Sequence, residues 1–289
     1  MMYPATFDSH RAASLGEALD LLAAHPEAKA LAGGHSLIPL LKLRLAQPAA
    51  LVDIGCLGEL SGVCRTDDGT VRVGVLTRYA EIAASEVLHA DCPLLAEAAG
   101  KIGDPQVRNR GTIGGNIAHA DPASDLPAVL VALGATVHLA AAAGERQVPA
   151  KDFFVDLLTT DLRPGELIAA VEVPRLAAGS GSAYLKVEHP ASGYVVCGAA
   201  AWLSFRGGSC TAGGLAFSGV AATPVDSSAV AAALIGGATN DAAIAAAVAD
   251  HLAIDHLLGD LQASGEYWVE LARVYGRRAL AAARDRAQS

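Results

Sequence analysis

The sequence predicts an α+β chain in two parts. Alternating strands and helices run to about residue 176, and a small antiparallel sheet backed by helices follows. Three observations predict this. Short apolar runs alternate with helical periodicity through the first part. A stretch of small, flexible residues, RLAAGSGSA from Arg175 to Ala183, then breaks the pattern as a linker does. Beyond it come three strand-like stretches and, from Ser228 onward, three alanine-rich helical segments. The length of 289 residues agrees with roughly two domains. A chain of this size buries about three quarters of its unfolded surface and needs no disulfide or metal staple.

The elements follow in order. Ser14 to Glu17 (SLGE) has the form of a capping box, and Leu15, Ala18, Leu19 and Leu22 share the helical face behind it. His25-Pro26 stops that helix. A strand from Lys29 to Ala32 runs into Gly33-Gly34, and the helix SLIPLLKLRL and the strand ALVDI complete a β–α–β unit around the glycine turn. Thr70–Leu76 alternates as a half-buried strand, and helices are predicted at Tyr79–Ala84 and Leu94–Ile102. Thr136–Ala141 and Leu167–Val173 read as strands, the second introduced by the turn RPGE. Past the linker, strands are predicted at Ala183–Val187, Tyr194–Phe205 and Thr211–Val220, with Gly207-Gly208 as a hairpin turn. The last helix places Trp268, Leu271 and Tyr275 on one stripe, which packs internally by default. His251 and His256, five apart on a helix, do not share a face well and read as solvated side chains.

Composition removes several functions. A formal net charge of −9 argues against nucleic acid, whose binding draws on clustered cations. It leaves room for one dinucleotide held by backbone amides. The five cysteines, Cys56, Cys64, Cys92, Cys197 and Cys210, include no CxxC pair, which speaks against a disulfide framework or an iron–sulfur or zinc site within the chain. The N-terminus has neither a basic n-region nor an apolar h-region, so the expected location is cytoplasmic. Leu126 to Gly144 carries no charged side chain, but Pro127, Gly134 and His138 split it into a short buried helix and a strand rather than a membrane span.

Chemistry concentrates in two glycine-centred stretches, LAGGHSLIP (Leu31 to Pro39) and GTIGGNIAHADP (Gly111 to Pro122). Glycine tolerates positive φ and has no Cβ, so consecutive N–H groups can converge on an anion. Ser36 stands where it could cap the following helix, whose N-terminus adds positive potential. Either stretch alone is more often only a tight turn. Neither matches the Rossmann GxGxxG or the P-loop GxxxxGK[ST].

Together, AGGHSLIPLLKLRL and, about seventy-five residues later, RNRGTIGGNIAHADPASDLP resemble the FAD-binding medium subunits of the molybdenum hydroxylases. That family includes xanthine dehydrogenase-like enzymes and aerobic carbon monoxide dehydrogenase. The resemblance extends to LRPGELI and to YLKVEHPASGYVVCGAAA, and His35 and the chain length are most similar to the carbon monoxide dehydrogenase medium subunits. It implies a two-subdomain FAD-binding fold of the vanillyl-alcohol-oxidase/PCMH type over residues 1–176, with subdomains at about 1–56 and 57–176. A C-terminal domain of molybdenum-hydroxylase flavoprotein type would cover 183–289. FAD would lie with its pyrophosphate against both loops. One wall would be Ala32, Gly33, Gly34, His35 and Ser36, and the other Gly111, Thr112, Ile113, Gly114, Gly115 and Asn116. Asp125 would hydrogen-bond a flavin hydroxyl, and Lys186 and Tyr194 would approach from the second domain. Tyr194 reads equally as a core or interface tyrosine. The resemblance also implies partners. A large subunit would hold a molybdenum–pterin cofactor and a small subunit 2Fe-2S clusters, assembled as a dimer of heterotrimers that delivers electrons to quinone or another acceptor. The complex would reach the inner membrane face only through those partners.

The residues themselves agree with this. With no lysine in either glycine loop, the charge of a flavin diphosphate falls on backbone amides, Ser36, Thr112, Asn116 and one of Arg108 or Arg110, which otherwise read as surface charges. A metal site from His119, Asp121 and Asp125 is the rival, although such a centre wants three or four fixed ligands plus a second shell. The chain has no nucleophile elbow and no paired carboxylates, as expected where the cofactor carries the chemistry. Two other readings stand beside this one: a self-contained flavin oxidoreductase, with His119 a conceivable attachment point, and a non-catalytic scaffold whose glycines are turns.

Overall fold

The computed structural model describes residues 3–255, 257 and 264–289. His256 lies outside the described residues.

The chain opens with β1 (Asp8–Arg11), α1 (Leu15–Ala24), β2 (Ala28–Leu31), α2 (Leu37–Lys42) and β3 (Ala50–Asp53). The three strands form a wholly parallel sheet in the order β1-β3-β2. Ser14 caps α1, its hydroxyl accepting the Glu17 amide at 3.1 Å. The return bond of the capping box is shifted by one residue, since Glu17 Oε2 accepts from Ala13 N at 2.7 Å. Ala18, Leu19 and Leu22 are the buried face.

Next come β4 (Val63–Arg65), β5 (Thr70–Gly74), α3 (Tyr79–Ala84), α4 (Glu86–Asp91), α5 (Pro93–Gly100), α6 (Pro105–Arg108), α7 (Ile113–His119) and α8 (Leu126–Leu133). They are followed by β6 (Thr136–Ala141), β7 (Gly144–Pro149), α9 (Ala150–Phe153), β8 (Phe154–Asp156), β9 (Thr159–Thr160) and β10 (Leu167–Pro174). A second sheet, antiparallel, has the order β4-β5-β10-β6-β7. Every residue of α8 is buried, because it lies between α5 and β10 on one side and strands of the C-terminal sheet on the other. That placement explains its lack of charge: an all-apolar helix needs apolar neighbours all round. Among the described residues no helix is long and apolar enough to cross a membrane.

The third sheet is antiparallel, β11 (Ser180–Glu188), β12 (Val195–Arg206), β13 (Ser209–Ser218) and β14 (Val225–Asp226), and is followed by α10 (Ser228–Ala232), α11 (Asp241–His251) and α12 (Gly265–Gln288). Gly207 and Gly208 turn the β12–β13 hairpin with φ of 59° and 82°. The flexible-looking stretch before this sheet is not all linker, because β11 begins at Ser180. Its small residues serve packing. A Cβ on Gly181 would stand 2.1 Å from the Ala283 carbonyl oxygen of α12, so the helix backbone rests directly on the strand. Trp268 is buried, and Leu271 and Tyr275 pack against the same cluster, so the α12 stripe faces inward.

Candidate cofactor site

The two glycine loops meet. Gly33, directly after β2, lies so close to the loop before α7 that a Cβ on it would be 2.1 Å from the Arg110 carbonyl oxygen. The second loop is held from behind in the same way. A Cβ on Gly111 would strike the Tyr79 ring at 2.4 Å, and one on Gly114 would strike Val75 at 2.5 Å. Gly34 meets a different demand, since its φ of 74° turns the chain from β2 into α2.

Between the loops runs a cavity of about 620 Å³, lined by Ala32, Gly33, Gly34, His35 and Ser36 on one side and Gly111, Thr112, Gly114, Gly115 and Asn116 on the other. The volume is within the range of small-molecule and cofactor sites. Ile113 is not on the wall. Its side chain is fully buried in the core, and its amide donates to Thr77 O at 3.1 Å.

The loops differ in what they can offer an anion. Among the described residues the amides of Gly33, Gly34, His35 and Ser36 donate to no protein acceptor, so the first loop presents a run of open donors. In the second loop the amides are largely taken: Gly114 N donates to Val75 O at 2.9 Å, Gly115 N to Thr112 Oγ1 at 3.2 Å and Asn116 N to Thr112 O at 3.0 Å. The expectation of two main-chain nests therefore fits the first loop better than the second. The second loop is a stiff wall whose distinctive polar group is the Asn116 side chain, and the buried Asn116 Oδ1 has no hydrogen-bond partner. A buried acceptor left unpaired is costly unless a bound group supplies the donor. Ser36 precedes α2 without a side-chain cap bond, because its backbone is already helical, and its hydroxyl is left at the cavity wall. Arg108 is spent internally, Nη1 donating to Ile102 O and Gly103 O at 2.9 Å each. Open amides, an orphaned oxygen and Cβ-free walls fit a dinucleotide diphosphate with its attached ribityl chain.

A smaller cavity of about 110 Å³ shares His35, Ser36, Tyr79, Asn116 and His119 with the first and adds Asp121, Ser124, Asp125 and Tyr194. Tyr194 is half exposed at its edge. Asp125, just before α8, is buried. Its Oδ1 accepts from Tyr184 OH at 2.9 Å and lies 3.2 Å from Lys186 Nζ. Burial pushes its carboxyl up to about 6, with the Lys186 cation and the Tyr184 bond opposing that rise. Lys186 lines neither cavity. It is buried at the joint with the C-terminal sheet, donating also to Lys101 O at 2.8 Å and Gly193 O at 3.0 Å. His119 Nε2 stands 4.0 Å from Asp121 Oδ2, while Asp125 turns to Tyr184 and Lys186. No group of three potential metal ligands occurs among the described residues.

Sequence reasoning missed part of the lining. Tyr79, Lys29 and the run from Leu162 to Ile168 all border the larger cavity. The run from Leu162 to Ile168 is marked in the sequence only as the turn RPGE and as the stretch LRPGELI of the resemblance, neither of which announces a wall.

Comparison with known proteins fits this geometry. Residues 5–176 match the FAD binding domain in molybdopterin dehydrogenase, and residues 182–283 match the CO dehydrogenase flavoprotein C-terminal domain. The chain is 38% identical over 289 residues to the carbon monoxide dehydrogenase medium chain of Afipia carboxidovorans, covering all of both chains. It is 44% identical over 240 residues to the glyceraldehyde dehydrogenase medium chain of Sulfolobus acidocaldarius, covering 83% of this chain and 85% of that one. The solved structure of cyanide-inactivated Cu,Mo-CO dehydrogenase superposes with a TM-score of 0.94 at 38% identity, covering 99% of this chain and 100% of the other. The chain therefore belongs to the FAD-binding medium subunits of the molybdenum hydroxylases, an oxidoreductase family, with the fold of the carbon monoxide dehydrogenase medium chain.

Proposed function

We propose that this chain is the FAD-carrying electron-transfer subunit of a carbon monoxide dehydrogenase-like complex. It takes electrons from a 2Fe-2S subunit and passes them to a quinone. The observation that carries this reading is the meeting of the two glycine loops around one cavity, with four open amides on one side and an orphaned Asn116 oxygen on the other. Full-length similarity to carbon monoxide dehydrogenase medium chains supports the choice of complex.

In this reading residues 1–176 hold the cofactor and 183–289 cover it. Gly33 to Ser36 bind the diphosphate through backbone N–H groups, aided by the position of Ser36 before α2. Ala32, Gly111, Thr112, Ile113, Gly114 and Gly115 set the spacing and stiffness of the walls. Asn116 and Asp125 orient the polar chain between diphosphate and ring, Lys186 holds Asp125, and Tyr194 excludes water at the ring edge. Bound there, FAD supplies a two-electron store that fills and empties one electron at a time. In this reading substrate oxidation belongs to a large molybdenum–pterin subunit. We place the assembly in the cytoplasm as a dimer of heterotrimers.

The test is to purify the complex through this chain and add carbon monoxide anaerobically. One large and one small partner should co-purify, the flavin band should bleach, and a quinone should restore it. A second reading, an aldehyde-oxidising complex, is favoured by the 44% identity to a glyceraldehyde dehydrogenase medium chain. Bleaching by glyceraldehyde and not by carbon monoxide selects it. A flavin-free complex contradicts both.

A further inference from the structure

One ionic cluster borders the larger cavity without belonging to either glycine loop. Arg146, on β7, donates from Nε to Glu166 Oε1 and from Nη2 to Glu166 Oε2, both at 2.7 Å. Its Nη1 reaches Asp161 Oδ2 and its Nη2 the Asp161 carbonyl, both at 2.5 Å. Glu166 Oε2 also accepts the Arg163 amide at 2.8 Å, and Glu166 N donates back to Arg163 O at 3.0 Å. One guanidinium thus closes both ends of a six-residue turn, 161–166, using side chain and backbone together.

Besides this clamp, the turn is held by Asp161 N donating to Phe153 O at 2.9 Å and by Leu162 packing on the core. It follows β8 and β9, strands of three and two residues that form a sheet only with each other, joined at Leu157 and Leu158, both exposed. A hairpin this short is not stable alone. Yet Leu162, Arg163, Pro164 and Gly165 line the cavity on the side of α1, facing Leu22 and Pro26. The Glu166 side chain is only 8% exposed, so the fork-on-carboxylate pair lies where such geometry counts, unlike an ordinary surface ion pair.

We propose that Arg146 is a positioning residue for the flavin cofactor. Through Asp161 and Glu166 it fixes the Leu162–Gly165 turn as the wall beside α1, so that the cavity exists before the dinucleotide enters. The inference rests on the cavity being the FAD site. A wall held in place beforehand saves the ligand the cost of ordering it, and that saving appears as affinity.

The test uses the purified complex, stripped of flavin and titrated with FAD. Arg146→Met is expected to weaken FAD binding by about tenfold or more and to shift the flavin absorption and circular dichroism toward those of free FAD. Arg146→Lys, which keeps the charge without the fork, should recover only part of the loss. Asp161→Asn, which keeps the Glu166 fork, should give an intermediate loss and decides the matter if the Met variant fails to assemble. A merely structural arginine would lower the flavin-free melting temperature and leave affinity and spectrum per folded molecule unchanged, and that result overturns the inference. Wild-type complex that takes up no FAD overturns the functional reading, and this inference with it.

Discussion

Replacing Gly33 by alanine tests the junction of the two loops directly. Gly33 is outside the left-handed region, so alanine is allowed there by the backbone and the effect is purely steric. The new Cβ would stand 2.1 Å from Arg110 O, 2.9 Å from Arg110 C and 3.2 Å from Gly111 Cα. All three are backbone atoms, so no side chain can swing aside. Restoring ordinary contact requires the loops to part by roughly 1 Å or more, at an overpacking cost of about 1–3 kcal/mol. The open amides of the first loop would then lose their alignment with the second wall. If that cost falls on the bound state, FAD affinity drops about ten- to a hundredfold, at 1.4 kcal/mol per tenfold. The assay is FAD titration of the deflavinated complex beside its flavin-free melting curve. Gly69→Ala is the control. Its φ of 85° gives backbone strain of about 1 kcal/mol with no neighbour within 4 Å, so it should lower stability and spare FAD. A Gly33→Ala complex that binds FAD as tightly as wild type refutes the reasoning.

Three other outcomes are expected. Asn116→Leu removes an acceptor that has no partner along with the side chain's bond to the Tyr79 hydroxyl, so FAD binding should weaken by more than the flavin-free stability falls; equal losses in both would make Asn116 a plain core residue. Asp125 titrates near 6 in the folded chain against an ordinary 3.8, so the folded state retains a proton that the unfolded chain has released, and stability falls as pH rises from about 4 to 6. The stability of wild type relative to Asp125→Asn should therefore drop by about 2 kcal/mol between pH 4 and pH 7, read by denaturant unfolding, and a pH-independent difference would contradict this. Lys186→Met strips the buried Asp125 of its cation and should cost about 3–5 kcal/mol, with Asp125→Leu in the same chain recovering part of it; simple additivity would deny the pairing.

What was legible in the sequence is what local chemistry announces. The Ser14 cap, the Gly207-Gly208 hairpin and the split of Leu126–Gly144 by Gly134 all follow from propensity, and the structure contains them. β1, β4, α4 and β7 were not legible, because short amphipathic pieces carry too little periodicity. The stretch around Gly181 looked like linker because the sequence does not show that α12 presses on it. At the site, the glycine loops announced themselves, but the division of labour between them did not. The second loop's amide bonds to Thr112 are a local helix cap, but those to Val75 and Thr77 depend on a segment more than thirty residues earlier in the chain. The Arg146 clamp was hidden for the same reason: its partners are 15 and 20 residues off, beyond any local pattern.

The central claim is that the first loop grips one flavin diphosphate with its backbone amides against a stiff second wall. A structure of the flavin-loaded chain in its complex tests it most directly. The account predicts the diphosphate within hydrogen-bonding distance of the Gly33–Ser36 amides, with Asn116 Oδ1 newly paired. Flavin bound elsewhere on the chain, or those four amides left without a partner, would contradict it.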